Sequence, residues 1–291
     1  MSRDAITQAG YPDAIVGAVL AYLLRKKAGE RPWLVGVSGL QGSGKSTLAA
    51  QLVERARAQG MYALGMSIDD FYFGRSRRLR LARTVHPLLA TRGVPGTHDL
   101  PLLESTLRDL RRASARRPAR VPRFDKGRDT RLPPSRWRHV TRPPELVILE
   151  GWCVGVTAEP AHALRRPLNL LEREQDRDAR WRTWVNAQLE RDYAALWRRL
   201  DRLVLLRAPR FRVVRQWRDE QERALRQRNA PRAMSPAVLR RFLMHYERLS
   251  RQALRGLPAH ADLCLALDRQ RRVTRIVERG QPPASTTTAV P

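Results

Sequence analysis

A glycine-rich segment near the start of the chain constrains its fold more than any other feature. Residues 39–47 read Gly-Leu-Gln-Gly-Ser-Gly-Lys-Ser-Thr, with a short apolar run at 33–37 before them and a helical pattern to about Ala58 after them. This is the Walker A pattern in the strand, turn and helix context that its mechanism requires. Because backbone N–H groups of such a turn surround phosphate oxygens, the sequence predicts a phosphate-binding loop.

The positions of this loop have distinct predicted roles. Lys45 reaches the β and γ phosphates of a nucleotide, and the Ser46 hydroxyl binds Mg²⁺. The predicted ATP-binding residues of the loop are Gly39, Gln41, Gly42, Ser43, Gly44, Lys45, Ser46 and Thr47. A Walker A loop alone does not separate GTPases, ATP-driven motors and small-molecule kinases, so the acidic groups elsewhere must decide between them.

Two acidic motifs follow apolar runs. Asp69 and Asp70 come directly after the strand predicted at 62–68, where a carboxylate can accept a proton from an attacking hydroxyl or help to hold a metal. Capping of the following turn is the alternative for either residue. Glu150 ends the apolar run 146–149 in the manner of a Walker B element, where it would orient water around Mg²⁺. Its alternative is a strand end that faces solvent.

The order of apolar and helical segments predicts the fold class. Apolar runs at 33–37, 62–68, 145–149 and 202–206 alternate with probable helices, which is typical of an α/β fold with a mostly parallel sheet flanked by helices. Further helices are predicted at 12–27 and from Ser235-Pro236 to a stop at Gly256. The Arg- and Pro-rich segments 75–83 and 111–142 are predicted to be surface excursions.

The domain organisation follows from the same pattern. Residues 1–32 are expected to form an N-terminal helix packed on the core, residues 33–278 the main domain, and residues 279–291 a disordered tail.

Composition limits the partners and the compartment. The chain has 291 residues and a formal charge of +28, which favours anionic partners such as nucleotides, small acids or nucleic acid. Its two cysteines lie far apart and in no metal-ligand spacing, so a cytoplasmic location is expected and a disulfide framework is not. The early uncharged run at 14–24 is shorter than the ~20 residues that span a bilayer, so no membrane segment is predicted.

Several further motifs accompany the loop and the two acidic elements. They are Gly-Val-Pro-Gly-Thr-His-Asp at 93–99, Pro-Arg-Phe-Asp-Lys at 122–126, Leu-Glu-Gly-Trp at 149–152, Gln-Trp-Arg at 216–218 followed by Gln221-Glu222, and Met-Ser-Pro at 234–236. With these motifs the chain, over residues 33–270, resembles the D-glycerate 3-kinase family within the phosphoribulokinase, uridine kinase and pantothenate kinase group of P-loop kinases.

This resemblance implies a P-loop NTPase fold and a set of site residues. It assigns Asp69 as the general base, with Lys45 as its catalytic partner, and an Arg-rich lid at about 208–235 in which Arg215 and Arg218 bind ATP. Mg²⁺ would be held by Ser46, Asp69 and Glu150. The implied substrate-binding residues are Asp70, Tyr72, His98, Asp99, Arg123 and Lys126. For Asp99 a helix N-cap is the alternative, and for the lid arginines a solvated face is the alternative.

The function implied is transfer of the γ-phosphoryl group of MgATP to a hydroxyl of a small anionic metabolite, with D-glycerate as the first candidate. Phe124 stands where the family has Tyr, and residues 127–134 depart from its usual pattern, so the acceptor stays open. A uridine- or pantothenate-like kinase is the alternative, with Phe71 or Tyr72 stacking on a base. A basic nucleic-acid-binding NTPase is less favoured, because no RNA-binding signature is present. The oligomeric state is not predicted.

Overall fold

The computed structural model describes residues 10–25, 32–227 and 234–280. Within these residues the strands are β1 (Trp33–Gly39), β2 (Ala63–Ser67), β3 (Ala119–Val121), β4 (Phe124–Asp125), β5 (Thr130–Arg131), β6 (Arg138–Val140), β7 (Leu146–Gly151), β8 (Arg202–Arg207), β9 (Leu263–Leu267) and β10 (Val273–Glu278). The helices are α1 (Asp13–Leu24), α2 (Lys45–Ala58), α3 (Arg75–Thr84), α4 (Leu100–Arg111), α5 (Leu170–Gln175), α6 (Arg180–Gln188), α7 (Ala194–Trp197), α8 (Arg212–Gln227) and α9 (Pro236–His260).

The main sheet has the strand order β10-β9-β8-β1-β7-β2. All of its neighbouring strands are parallel except β10, which runs antiparallel to β9. Every residue of β1 and β7 is buried, as expected for central strands that are covered on both faces. The predicted α/β class with a mostly parallel sheet is therefore confirmed, and the four predicted strands correspond to β1, β2, β7 and β8.

The strand register brings the predicted chemical groups to one edge of the sheet. In β7, Glu150 is paired with Val37 of β1 on one side and with Ser67 of β2 on the other. The phosphate loop follows β1 directly, and Asp69 lies two residues beyond the end of β2. The carboxyl ends of these parallel strands therefore meet where a doubly wound sheet binds its ligands.

Helices flank the sheet. The helix α2 packs against β1, β2 and β7, α1 packs on α2, and α9 packs against β8. The helix predicted at 12–27 is α1, and residues 26 and 27 lie outside the described part of the chain, as do 228–233 of the predicted lid and 281–291 of the predicted tail. Among the described helices, none has the length and apolar character needed to cross a membrane.

Residues 75–83 were predicted to be a surface excursion, and most of their side chains are exposed. They form α3, and one of its arginines, Arg78, is only 2% exposed. Its guanidinium donates to the carbonyl oxygens of Phe73 at 3.1 Å and Ala90 at 2.7 Å, and it pairs with Asp129 at 2.5 Å. A buried charge is tolerated when its donors are satisfied in this way, so an arginine-rich sequence does not by itself indicate a solvated excursion.

Two further differences concern helix and strand limits. The helix α9 continues past Gly256 to His260, because Leu257 extends its buried stripe one turn beyond Ala253. Residues 111–142 contain two small antiparallel pairs, β3 with β6 and β4 with β5, within the segment that was predicted to be an excursion. The strands β9 and β10 were not predicted.

Candidate functional site

The phosphate loop forms a tight turn between β1 and α2. Gly42 and Gly44 have φ values of +80° and +89°, which favour glycine. A Cβ atom on Gly42 would lie 2.8 Å from Cβ of Trp217 in α8, so this position also needs glycine for close packing. The helix α2 begins at Lys45, which directs its first N–H groups toward the loop.

Three side chains from distant parts of the chain support this loop from outside. The Tyr11 hydroxyl donates to the carbonyl oxygen of Ser43 at 2.7 Å, and Nε of Arg271 donates to that of Gly42 at 2.8 Å. Trp217 is fully buried against Gly42 and donates from its indole to the carbonyl oxygen of Arg269 at 2.7 Å. These contacts fix the conformation of the loop, so that it is preorganised for an anion.

Polar atoms without partners gather around the loop. Buried atoms that lack a hydrogen-bond partner within the described residues include the amide group of Gln41, Oγ of Ser38 and Ser43, and Oε2 of Glu150. Among the described residues, the ammonium group of Lys45 has no hydrogen-bond or ion-pair partner. Since unpaired buried polar atoms are costly, such a cluster is typical of a ligand site.

A cavity of about 590 Å³ opens in front of the loop. Ten of the residues that sequence analysis selected line it, namely Gln41, Gly42, Gly44, Lys45, Ser46, Thr47, Asp69, Tyr72, Lys126 and Arg218. Eight selected residues do not line it, namely Gly39, Ser43, Asp70, His98, Asp99, Arg123, Glu150 and Arg215. The cavity therefore joins the phosphate loop to the Asp69 turn.

Asp69 lies in the short 3₁₀ turn Ile68–Phe71 after β2, where its N–H donates to Oγ of Ser67. Its carboxylate pairs with Nζ of Lys126 at 2.7 Å. Although burial disfavours the charge, the ammonium groups of Lys126 and then Lys45 hold the pKa of Asp69 well below its usual range. Asp69 is therefore a carboxylate at neutral pH and can accept a hydrogen bond from an alcohol.

Asp70 points away from this cavity. Its Oδ1 accepts a hydrogen bond from the backbone N–H of Phe124 at 2.9 Å, and it lines a neighbouring cavity of about 510 Å³ with Ser46 and Glu150. Burial raises the pKa of Asp70 to about 6, opposed by that N–H donor. The two adjacent carboxylates thus differ in partner and in pKa, and Asp70 anchors the segment that carries Lys126.

His98 supports the cavity wall from behind. Its ring stacks on Tyr72, with the centroids 4.4 Å apart, and its Nδ1 lies 2.6 Å from the hydroxyl of Tyr193. Burial lowers the pKa of His98 to about 4, so the ring is neutral at pH 7. The Tyr193 oxygen also accepts from the N–H of Gly96, while Nε2 of His98 has no partner among the described residues.

Asp99 and Arg123 lie outside the cavity wall. The Asp99 carboxylate accepts from the N–H of Leu102 at 3.3 Å as the N-cap of α4, and it pairs with Arg131 at 3.1 Å. Arg123 is exposed, and among the described residues its guanidinium has no hydrogen bond or ion pair. The cap that was the alternative for Asp99 is therefore present in the structure.

The two arginines that were predicted to bind ATP from a lid line different cavities. Arg218 lines the main cavity, and its guanidinium is held by Glu222 at 2.6 Å and Gln221 at 2.8 Å. The side chain of Arg215 is 58% exposed and pairs with Asp219 at 3.7 Å, in a separate groove between α8 and α9. The helix α8 therefore presents one of the two candidates to the phosphate loop.

Sequence analysis gave no site role to several residues of the cavity wall, although Trp152 and Gln221 lie in motifs that it quoted. They are Arg92, Trp152, Glu220, Gln221, Phe242, Tyr246 and Arg271. The sequence held one signal for Arg92, because this residue directly precedes the motif at 93–99. Arg271 follows a strand that was not predicted, so its sequence neighbourhood offered no comparable signal.

The oxygen groups near the loop fit a magnesium ion. Ser46 lines both cavities, Asp69 the main one and Glu150 the neighbouring one. Glu150 is only 8% exposed, and its Oε2 has no partner among the described residues. A hydroxyl and two carboxylates are ligands that Mg²⁺ prefers, so these residues suit the ion predicted from the Walker motifs.

Comparison with known proteins places this geometry in a family. The chain is 33% identical over 248 residues to "Uncharacterized kinase mug58" of Schizosaccharomyces pombe, covering 80% of this chain and 86% of that protein. It is 30% identical over 222 residues to the chloroplastic D-glycerate 3-kinase of Arabidopsis thaliana, covering 74% of this chain and 46% of that longer protein. No family model matches.

A solved structure agrees with these relatives. The D-glycerate 3-kinase from Cryptococcus neoformans superposes with a TM-score of 0.74 at 25% identity, covering 92% of this chain and all of that one. Kinases of this group use MgATP. The chain therefore belongs to the D-glycerate 3-kinase family of P-loop kinases, as an ATP- and Mg²⁺-dependent phosphotransferase with an alcohol group as acceptor.

Proposed function

We propose that the enzyme transfers the γ-phosphoryl group of ATP to a hydroxyl of D-glycerate. The observation that carries this proposal is the shared cavity of Lys45 and Asp69, in which a phosphate-binding cation and a carboxylate that is ionised at neutral pH line the same space. The names of the Arabidopsis and Cryptococcus relatives support D-glycerate as the acceptor. The positive lining of the cavity supports an anionic acceptor.

Each group has a defined task in this reaction. The loop N–H groups and Lys45 bind the β and γ phosphates, and Arg218 reaches them from α8. Asp69 orients the acceptor hydroxyl and takes its proton as the oxygen attacks phosphorus. Ser46, Asp69 and Glu150 would hold Mg²⁺, which neutralises negative charge on the phosphate oxygens when bound. Binding, orientation and charge are the main contributions asked of the protein.

The segment 208–235 serves as a lid in this proposal, within a catalytic unit that extends over residues 33–278. Support comes from α8, which contributes Arg218, Glu220 and Gln221 to the cavity. A basic helix beside the phosphates would exclude water from the reacting groups, so that the alcohol and not water receives the phosphoryl group.

A nucleoside acceptor is less well supported. Phe71 is fully buried, which leaves no face for a base, and one face of Tyr72 is covered by His98. The two residues that were predicted to stack on a nucleoside are thus poorly placed for that contact.

We also propose a cytoplasmic location. Cys153 and Cys264 are free and buried, which suits a reducing compartment. Among the relatives, the Arabidopsis protein is named as chloroplastic, so the compartment is best tested directly by imaging the tagged full-length chain.

A screen of acceptors tests the proposed function. ADP release by the purified protein would be followed with ATP, Mg²⁺ and one compound at a time, drawn from hydroxy acids, pantothenate and nucleosides. We expect D-glycerate to give the highest kcat/KM. A higher value for uridine or pantothenate would reject D-glycerate as the acceptor and favour the alternative kinases of the same group.

A further inference from the structure

The Asp69 end of the main cavity contains a cation that sequence analysis did not select. Arg92 lines this cavity together with Asp69, Tyr72 and Lys126. The guanidinium carbon of Arg92 lies 5.6 Å from the centroid of the Phe124 ring, and that ring lies edge-on to Tyr72 at 5.5 Å. Arg92 is thus connected to the acceptor side of the cavity, where the hydroxyl must meet Asp69.

The position of Arg92 is fixed by a shared carboxylate. Nη1 of Arg92 pairs with Oδ1 of Asp129, while Oδ2 of Asp129 lies 2.5 Å from Nη2 of the buried Arg78. Arg78 is itself anchored to the backbone at Phe73 and Ala90. One carboxylate therefore serves two guanidinium groups, so that a net positive charge remains on this cluster and Arg92 presents it to the cavity.

Arg92 also has donors to spare. Within the described residues, its Nε and Nη2 make no hydrogen bond. Lys45, which also lines the cavity, is assigned to the phosphates. The remaining cations of the cavity are engaged: Lys126 by Asp69, Arg218 by Glu222, and Arg271 by Glu220 and the phosphate loop. The Nε–Nη2 edge of a guanidinium matches the two oxygens of a carboxylate.

We propose that Arg92 binds the carboxylate of the acceptor through this edge, and that Asp129 positions Arg92 for the task. This inference rests on the proposed function and deepens it, because it defines the acceptor class as a short hydroxy acid whose carboxylate and hydroxyl span Arg92 and Asp69. It assigns the carboxylate to Arg92 and not to Arg123, which the family resemblance implied as a substrate-binding residue but which is exposed and outside the cavity wall.

Steady-state kinetics with paired acceptors test the inference. D-glycerate would be compared with glycerol, which has hydroxyls but no carboxylate, for the wild type and the variants Arg92→Ala, Arg92→Lys and Arg123→Ala. Arg108→Ala, in an exposed arginine on α4, is the matched control. A charge-assisted hydrogen bond contributes ~1.5–3 kcal/mol, so Arg92→Ala should raise the KM for D-glycerate ~10- to 100-fold. The ratio of kcat/KM for D-glycerate to kcat/KM for glycerol should fall by the same factor.

Further readouts separate binding from folding and from positioning. The KM for ATP should change less than ~3-fold in Arg92→Ala, and Arg92→Lys, which keeps the charge, carries the test if the alanine variant fails to fold. Asp129→Asn should raise the KM for D-glycerate several-fold at a nearly constant kcat. Equal losses with both acceptors, or a KM effect in Arg123→Ala and none in Arg92→Ala, would overturn the proposal.

Failure of the proposed function gives a different pattern. If the wild type prefers another short hydroxy acid to D-glycerate, the proposed acceptor is wrong. A rise in the KM for that acid in Arg92→Ala, with no such rise for glycerol, still supports the role of Arg92. If the wild type prefers glycerol or a nucleoside, both proposals are rejected.

Discussion

Charge pairing at single residues controls what the site can do. Asp69 is adjacent to Asp70, yet Lys126 holds the pKa of Asp69 below its usual range while burial raises that of Asp70 to about 6. Asp69 in turn raises the pKa of Lys126, although burial opposes the shift. The ion pair keeps the acceptor-side carboxylate ionised, and bound acceptor must share or replace the Lys126 contact.

The first prediction at this scale concerns the two central residues. Lys45→Ala removes the ammonium group from the phosphates, and Asp69→Asn removes the proton acceptor while keeping the shape of the side chain. Each change should lower kcat ~10²-fold or more with an unchanged melting temperature. The measurement is ADP release with D-glycerate, together with a thermal melt of each variant. A rate near that of the wild type would reject the role assigned to that residue.

A second prediction concerns pH and His98. Burial lowers its folded-state pKa to about 4 from 6.5, so the unfolded chain takes up a proton at a higher pH than the folded chain does. Its contribution to stability is complete above pH 6.5 and is lost as the pH falls toward 4. When the pH is lowered from 7 to 5, the free energy of unfolding should fall by ~2 kcal/mol more in the wild type than in His98→Gln.

Denaturant melts of both proteins at several pH values provide the measurement for His98. Gln retains an acceptor for the Tyr193 hydroxyl, which makes it the closest neutral replacement. Parallel stability curves for the two proteins would show that His98 does not titrate as its burial implies.

Residues in motifs could be selected from sequence, and residues brought in by folding could not. Lys45 and Asp69 follow strand ends, so pattern and topology alone predict that they meet. Arg92 and Arg271 are two of 52 arginines and depend on long-range contacts, with Asp129 in one case and Gly42 in the other. For an arginine, composition gives no indication of which cavity it will face.

At the scale of elements, the central strands were predictable, whereas the consecutive strands β9 and β10 were not. The strands β1 and β7 consist mostly of apolar residues and are buried on both faces, which leaves a clear signal in sequence. By contrast, β10 is at an edge of the sheet and has no fully buried residue. Its polar side chains give weak patterning, so that its pairing with β9 depends on tertiary context.

The helix α8 allows a prediction at the element scale, because it separates two neighbouring arginines by face. Arg218 faces the phosphate loop and Arg215 faces the groove next to α9. Arg218→Ala should lower kcat/KM for ATP ~10- to 100-fold, whereas Arg215→Ala, which removes only an exposed ion pair, should lower it less than ~3-fold. Initial rates at varied ATP provide the measurement. Equal losses would indicate that α8 moves on binding so that both arginines reach the nucleotide.

The whole molecule carries a formal charge of +28, and the structure shows where some of its many arginines are used. Some arginines add nothing to this surplus because they are buried in ion pairs: Arg248 with Glu172 at 2.7 Å and Glu159 at 3.2 Å, and Arg182 with Asp176 at 2.9 Å. Other cations line the cavity for an anionic nucleotide and acceptor. A nucleic-acid partner for the remaining exposed arginines stays a less favoured prediction, which RNA-stimulated ATP hydrolysis would support.

The most direct test of the central claim is the identity of the phosphorylated product. Purified protein would be incubated with ATP, Mg²⁺ and D-glycerate, and the phosphorus species followed by ³¹P NMR beside the Lys45→Ala and Asp69→Asn variants. We predict a phosphomonoester of glycerate that forms in equal amount with ADP in the wild type and ~10²-fold more slowly in either variant. Inorganic phosphate in place of the ester, or ester formation that is indifferent to Asp69, would contradict the proposed transfer to an alcohol oriented by this carboxylate.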